Sequence, residues 1–414
     1  MRRIRRLYAL LFIFAIGGAL VAVVAGAWPG LVVAAAFAAV ISAALMIALG
    51  AESAQFFVSQ GFAVAVIALL QILPEFTVEA TIAWRGDIDL MLANFTGSNR
   101  LLMGLGWPMI YGVAAFYHRR GSGGPLGGIH LRPEAVIEVL ALLAPSLYFL
   151  LVLEKGTLTV ADAAILAAMF VVYIVLLSRL PPEGEASKAT LVPPSRWIVD
   201  RPRRRAKGII VALLAVGGAC VVLAAGPFVT SLEFLAVSAG LSSFLFIQWV
   251  APFLSEFPEK VSAFYWAKRV RLAPMALLNM VSSKVNQWTL LVLFIPTFYS
   301  LGLGRVASVP LSEFQKHEIL LSIAMTVYGG TVLLTRRFTA TNASVLLGLW
   351  LFQFLFPTNV PGTPVDTRWL TTIAFLGLTV VELVWRRSEM HPIRDLRDAF
   401  DRMVRRDAAG GGMR

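Results

Sequence analysis

Two Pro-Glu pairs fall inside apolar runs long enough to cross a membrane, where a carboxylate is costly unless it meets a partner. The first stands in Leu73-Pro74-Glu75-Phe76-Thr77-Val78-Glu79 and is followed by Asn94 and Ser98 in Leu92-Ala93-Asn94-Phe95-Thr96-Gly97-Ser98-Asn99. The second stands in Ser255-Glu256-Phe257-Pro258-Glu259 and is followed by Asn279 and Ser283 in Leu277-Leu278-Asn279-Met280-Val281-Ser282-Ser283-Lys284. A proline within a helix removes an amide donor and disturbs a carbonyl one turn back. In lipid, freed carbonyls and carboxylates are tolerated only against protein or a water-filled cavity, and together they make an oxygen-rich site for a cation. Oxygen ligands alone suit hard ions such as Ca²⁺ and Na⁺ rather than soft metals. Glu79, one turn after Glu75, and Glu256, one turn before Glu259, share helical faces with them and stand as second ligands or proton carriers.

The elements that must position these residues are membrane helices. The chain of 414 residues is 58% hydrophobic and 14% charged, with a mean hydropathy of +0.77, outside the range of soluble domains. Apolar runs bounded by Gly, Pro and charge predict about twelve spans. They lie near 7–27, 30–50, 56–83, 88–116, 134–154, 160–179, 208–226, 231–264, 272–300, 317–335, 340–356 and 368–385. A first membrane half over 1–179, a polar Pro- and Arg-rich linker over 180–207, a second membrane half over 208–385 and a basic tail over 386–414 follow from this map. The fold class is therefore an all-α integral membrane protein. The basic opening Met1-Arg2-Arg3-Ile4-Arg5-Arg6 is read as the flank of a retained first helix.

The net charge of +12 is a topology signal rather than a nucleic-acid footprint, because the basic residues gather in alternate connections. The N-terminus, the loop with Arg119, Arg120 and Arg132, the central linker with Arg179, Lys268/Arg269/Arg271, Arg336/Arg337 and the tail hold 28 Lys and Arg, against five in the remaining connections. Both termini and the linker are expected in the cytoplasm, with the protein in the cell (inner) membrane. Arg100, Lys260 and Lys284 remain at membrane depth and each needs a partner or a wet cavity. On this map the two Pro-Glu segments run in opposite directions. Pro74 corresponds to Pro258, Asn94 to Asn279 and Ser98 to Ser283, with a single inserted residue between the two motifs of the second copy, so the halves form an inverted repeat. Glu75 and Glu259 are expected to face one polar cavity.

Leu73-Pro74-Glu75 and Asn94-Phe95-Thr96-Gly97-Ser98-Asn99 resemble the first alpha repeat of the sodium/calcium exchanger (calcium:cation antiporter) superfamily, and Pro258-Glu259, Asn279 and Ser283 are similar to its second. The resemblance implies a five-plus-five helical core, here with two flanking helices. It implies a secondary antiporter exchanging Ca²⁺ or Na⁺ against Na⁺ or H⁺ by alternating access. Glu75 and Glu259 would be the principal carboxylate ligands, with Ser98, Ser283 and nearby carbonyls adding oxygens; the repeated spacing itself makes Asn94 and Asn279 ligands or site-lining residues, against an interhelical packing role. Two departures stand out: Gln71-Ile72 replaces a Thr-Ser pair, and Lys284 occupies the place of an amide. Lys284 is expected to pair with a carboxylate of the eighth span when the ion is absent and to couple cation entry to proton release.

No resident cofactor is expected; the transported cation is the ligand, and the partners are inorganic cations and membrane lipids, with no nucleic acid. One cysteine, Cys220, excludes an internal disulfide, and His118, His130, His317 and His391 lack metal-ligand spacing. An intramembrane enzyme would need a nucleophile and base at one depth. A sensor or scaffold that has lost transport is the other alternative, favoured by Ile72 and Lys284. Trp28, Trp84, Trp107 and Trp369 read as interfacial anchors. Ile393, Leu396, Phe400 and Met403 give the tail the pattern of an amphipathic helix on anionic lipid or of a frayed basic end.

Overall fold

The computed structural model describes residues 2–24, 29–54, 56–57, 73–180, 191–359 and 364–411, most of them helical. The helices are α1 (Arg2–Val24), α2 (Pro29–Ala54), α3 (Leu73–Arg85), α4 (Ile88–Leu101), α5 (Trp107–Ser122), α6 (Val136–Lys155), α7 (Val160–Arg179) and α8 (Pro193–Val199). They continue as α9 (Arg203–Ser238), α10 (Ser243–Ser255), α11 (Phe257–Ala267), α12 (Ala273–Asn286), α13 (Val292–Gly302), α14 (Glu313–Leu334), α15 (Ala340–Leu355), α16 (Thr367–Trp385) and α17 (Pro392–Gly411). Among the described residues seven helices are long and apolar enough to cross a membrane. Large apolar side chains such as Leu151, Val171, Val172, Ile373, Val380 and Val384 point outward, while Glu79, Ser98, Asn99, Arg100 and Lys284 are buried. That inside-out distribution suits lipid as the solvent. The protein is an all-α membrane protein.

The sequence map differs from the structure where the second Pro-Glu pair lies: the predicted span 231–264 is not a single helix. Of the predicted span 56–83 only 56–57 and 73–83 are described; residues 58–72, with Gln71 and Ile72, lie outside the described residues. In the second half α9 runs on to Ser238, and the chain turns at Gly240 before α10 and α11, which are separated at Glu256. At 13 and 11 residues, α10 and α11 reach only about 20 and 17 Å, short of the ~30 Å core. The second Pro-Glu pair therefore opens a helix rather than interrupting one, because proline is tolerated in the first turn, where its missing N–H has no intrahelical acceptor.

The internal repeat is visible in detail. Pro74-Glu75 lies on α3 and Pro258-Glu259 on α11, at corresponding places of the two copies. α4 passes through a π turn at Leu102–Gly106 into α5, and α12 through a π turn at Gln287–Leu291 into α13, in the same register relative to Ser98 and Ser283. Further on, β1 (Ile129–His130) and β2 (Thr157–Leu158) correspond to β3 (Val309–Pro310) and β4 (Arg337–Phe338). β1 pairs with β4 and β2 with β3, both antiparallel, so exchanging the copies maps one ribbon onto the other. The capping boxes Thr159/Asp162 and Thr339/Asn342 repeat as well, contacted by Tyr148 and Tyr328 at equivalent places.

The chain forms two compact units, each drawing on both sides of the central linker. The first comprises Met1–Gly97, Pro182–Ser262 and Thr297–Val306. In it α2 packs along α1 and α9, and α8 is held to α2 by Glu52, which accepts from the Ser195 hydroxyl at 2.6 Å and the Val192 amide at 3.0 Å. α4 lies so close to α10 that a side chain at Gly97 would collide with the Gln248 backbone. The second unit comprises Ser98–Pro181, Ala263–Pro296 and Ala307–Arg414. There α6 and α16 pack against α14, and the π turn sets Gly104 against the Trp350 ring with no room for a Cβ.

Two further expectations are corrected within this second unit. Trp107 is no interfacial anchor: it is fully buried, edge-on to Phe338 at 6.0 Å, because the π turn rotates it inward. Trp84 and Trp369 do remain exposed, and Trp28 lies outside the described residues. The tail is neither frayed nor laid wholly on lipid: α17 buries Ala399 and Met403 and makes ion pairs through Arg402 with Glu134 and Asp395 with Arg336, leaving Ile393 and Phe400 exposed.

Candidate cation site

In the first copy Glu75 sits near the start of the described part of α3 and is buried. Glu79, one turn on, is fully buried. Its Oε2 accepts from Asn94 Nδ2 on α4 at 2.6 Å. The bond leaves Glu79 Oε1 and Asn94 Oδ1 buried with no hydrogen-bond donor among the described residues. Two desolvated oxygens of this kind are satisfied by a proton or a hard cation. Beside them Thr96 accepts from Gln248 Nε2 at 3.3 Å, fixing α4 on α10 next to the Gly97 contact. Ser98 lies one turn beyond Asn94 on α4, fully buried, its hydroxyl also without a partner among the described residues.

The second copy is built alike and filled differently. Glu259 lies buried in the first turn of α11. Glu256 does not share a helix face with it, because the chain breaks there; its carbonyl instead accepts from the amides of Glu259 and Lys260 at 3.1 and 3.2 Å. Lys260 Nζ donates to Glu256 Oε2 at 2.6 Å, an ion pair buried on both sides. On α12, Asn279 is half-buried, Ser283 is buried and Lys284 is fully buried. Lys284 Nζ donates to the carbonyl of Asn99 at 2.6 Å. Asn99 and Lys284 follow Ser98 and Ser283 and are equivalent positions, so the repeat meets itself at this bond. Asn286 and Gln287, at the second π turn, are buried too.

All three basic residues assigned to membrane depth thus have partners. Arg100 pairs with Glu318 on α14, which also meets Arg368 Nη1 at 3.4 Å, and Arg368 holds Asp366 at 2.9 Å. Sequence reasoning demanded a partner for Arg100 but missed Glu318; its match to Glu138, at the equivalent place in the other copy, is the signal that would have found it. Thr96 and Gln248 were also missed, since neither carries charge. The proposed site residues divide between the units: Glu75, Glu79, Asn94, Glu256 and Glu259 in the first, Ser98, Asn279, Ser283 and Lys284 in the second. Among the described residues no three Asp, Glu, His or Cys side chains converge as a metal cluster. Carboxylate, amide, hydroxyl and carbonyl oxygens are the donors present, a set that suits a passing hard cation better than a resident transition metal.

The model of the sodium/calcium exchanger protein family matches residues 26–179 and 209–359, one segment on each side of the linker. No curated protein matches the chain significantly. Among solved structures, the crystal structure of the H⁺/Ca²⁺ exchanger CAX is similar at TM-score 0.86 and 27% identity, covering 97% of this chain and 98% of that one. The structure of native YfkE is similar at TM-score 0.54 and 14% identity, covering 88% and 99%, a likeness of fold. Matched over both of its repeated halves, this chain belongs to the sodium/calcium exchanger family, whose members are membrane transporters of cations and not enzymes.

Proposed function

We propose that the protein exchanges Ca²⁺ for H⁺ across the cell membrane by alternating access, with both termini in the cytoplasm. The observation that carries this reading is the Glu79–Asn94 pair beside Pro74-Glu75, buried at membrane depth with two oxygens lacking a donor. A carboxylate so placed cannot be left as a bare anion, so release of a cation requires a proton in its stead. That requirement makes exchange obligatory without any covalent step. Glu75 and Glu259 serve as the principal carboxylates, with Glu79, Asn94, Ser98, Asn279 and Ser283 contributing oxygens and Glu256 kept in reserve by Lys260. The likeness to the H⁺/Ca²⁺ exchanger over almost the whole chain supports Ca²⁺ and H⁺ over Na⁺ as the coupled pair.

Purified protein in proteoliposomes tests this directly. Ca²⁺ should accumulate against its gradient when a pH gradient is imposed, with Na⁺ absent. Accumulation driven by a Na⁺ gradient and indifferent to pH would replace H⁺ by Na⁺; no counter-flow with any ion would leave the sensor reading, which the Lys284 ammonium at the repeat contact favours.

A further inference from the structure

We propose that Glu138 is a second proton-binding site of this transporter, separate from the Pro-Glu sites, and that its occupancy sets the response of transport to pH on the side of the Arg119/Arg120/Arg132 connection. The inference rests on the proton-coupled reading above. Glu138 lies in the first turn of α6, only 8% exposed, with Oε2 lacking any hydrogen-bond donor among the described residues. Its repeat equivalent is Glu318, in the early turns of the matching helix α14. Glu318 is locked by two guanidinium groups, Arg100 and Arg368. Glu138 has neither: position 285, the equivalent of Arg100, is Val285, and among the described residues Glu138 has no ion pair. Two copies of one backbone thus hold one permanently neutralised carboxylate and one that only a proton or a mobile cation can neutralise.

The surroundings favour the proton. Among the described residues Glu138 belongs to no group of three metal-binding side chains, and Glu134, one turn earlier, is engaged by Arg402 of α17. Arg132, on the exposed preceding turn, acts on Glu138 at longer range. The end of α14 packs on α6 with Gly330 against Leu143; beyond it the Thr335 hydroxyl donates to the Val332 carbonyl at 2.7 Å and Arg336 is turned to Asp395 at 3.6 Å. From α7 the Tyr173 hydroxyl lies within the field of Glu138 and 2.8 Å from Ser282 Oγ on α12. Ser282 adjoins Ser283 and Lys284, so a change of charge on Glu138, felt electrostatically at the Tyr173 hydroxyl, reaches through the Tyr173–Ser282 hydrogen bond the helix that carries the second-copy site. Protonation converts the Glu138 carboxylate to a carboxylic acid, taking one proton from the aqueous side and changing what the Tyr173 hydroxyl faces.

The test uses the full-length protein in proteoliposomes, with Ca²⁺ flux followed while pH is varied on one side at a time. Wild type comes first: if a pH gradient does not drive flux, the proton-coupled reading fails and not this inference alone. With coupling present in the wild type, Glu138→Gln should shift the pH midpoint by about one unit, a tenfold change in apparent proton affinity, on one side only. Ca²⁺ affinity at the plateau should stay within about twofold, a change of about 0.4 kcal/mol. Tyr173→Phe should shift the same midpoint by less, and infrared spectra should lose one titrating carboxyl band in Glu138→Gln. A folded Glu138→Gln with unmoved midpoints and an unchanged carboxyl titration overturns the proposal. Should that variant fail to fold, Glu138→Asp, which retains the carboxyl but withdraws it by one methylene, decides in its place by the same shift or its absence.

Discussion

Asn94 uses its amide nitrogen on Glu79 and leaves its oxygen, with the second Glu79 oxygen, inside the first unit. Glu79→Gln keeps the shape and a hydrogen bond to Asn94 but removes the charge a divalent cation needs. Ca²⁺ flux should fall at least about a hundredfold while thermal stability changes by less than about 1 kcal/mol; flux within twofold of wild type would exclude Glu79 from the site. Lys284 is the opposite case, an ammonium that donates to the Asn99 carbonyl. Lys284→Asn frees that carbonyl for a cation, and apparent Ca²⁺ affinity should rise about tenfold, the order of one charge-assisted hydrogen bond. Its pH dependence should also weaken, and a folded variant with an unchanged affinity and pH profile would confine Lys284 to a structural role. At this scale the sequence exposed what is chemically expensive: acids, amides and lysines in apolar runs. It concealed Thr96, Gln248 and Glu318, whose roles depend on partners distant along the chain.

Helices carry the next set of consequences. The sequence pattern located the apolar runs but merged α10 with α11 and the end of α9, because hydropathy averages over a break that only Glu256 and Gly240 mark. The π turns were also hidden, since Leu102–Gly106 and Gln287–Leu291 share a register but only leucine in composition. Close approach of α4 to α10 was legible only as a glycine within a motif. Gly97→Val should force α4 off Gln248 and destabilise the protein by about 3 kcal/mol or more, read as a loss of monodisperse protein or a fall in thermal midpoint. Gly112, with open space around it on α5, provides the control: Gly112→Ala should be neutral or slightly stabilising. Equal stability of the two variants would remove the close-packing argument. For α17, Glu134→Gln breaks the contact with Arg402, and amide exchange across 392–403 should quicken while that of α6 stays slow.

At the scale of the molecule, fold class and repeat were open to sequence reading because both are periodic: apolar runs recur at membrane length and the Pro-Glu and Asn-x3-Ser pairs recur at nearly one spacing. The two compact units were not legible, because each is assembled from both halves. The loop charges predict that cysteines introduced near Gly123 resist labelling from outside the cell, whereas sites near Arg305 react; labelling of Gly123 from outside would invert the topology. The bond from Lys284 to the Asn99 carbonyl has a bearing on ancestry. In a dimer of two identical subunits, a residue on the two-fold axis stands opposite its own copy, so a lysine there would face a second lysine and an asparagine a second asparagine. Copies that share one polypeptide are under no such constraint, and here they present an unequal pair. Neither half can now stand in for the other: two copies of residues 208–385 would bring two ammonium groups to one buried point, and two copies of residues 1–179 would bring none.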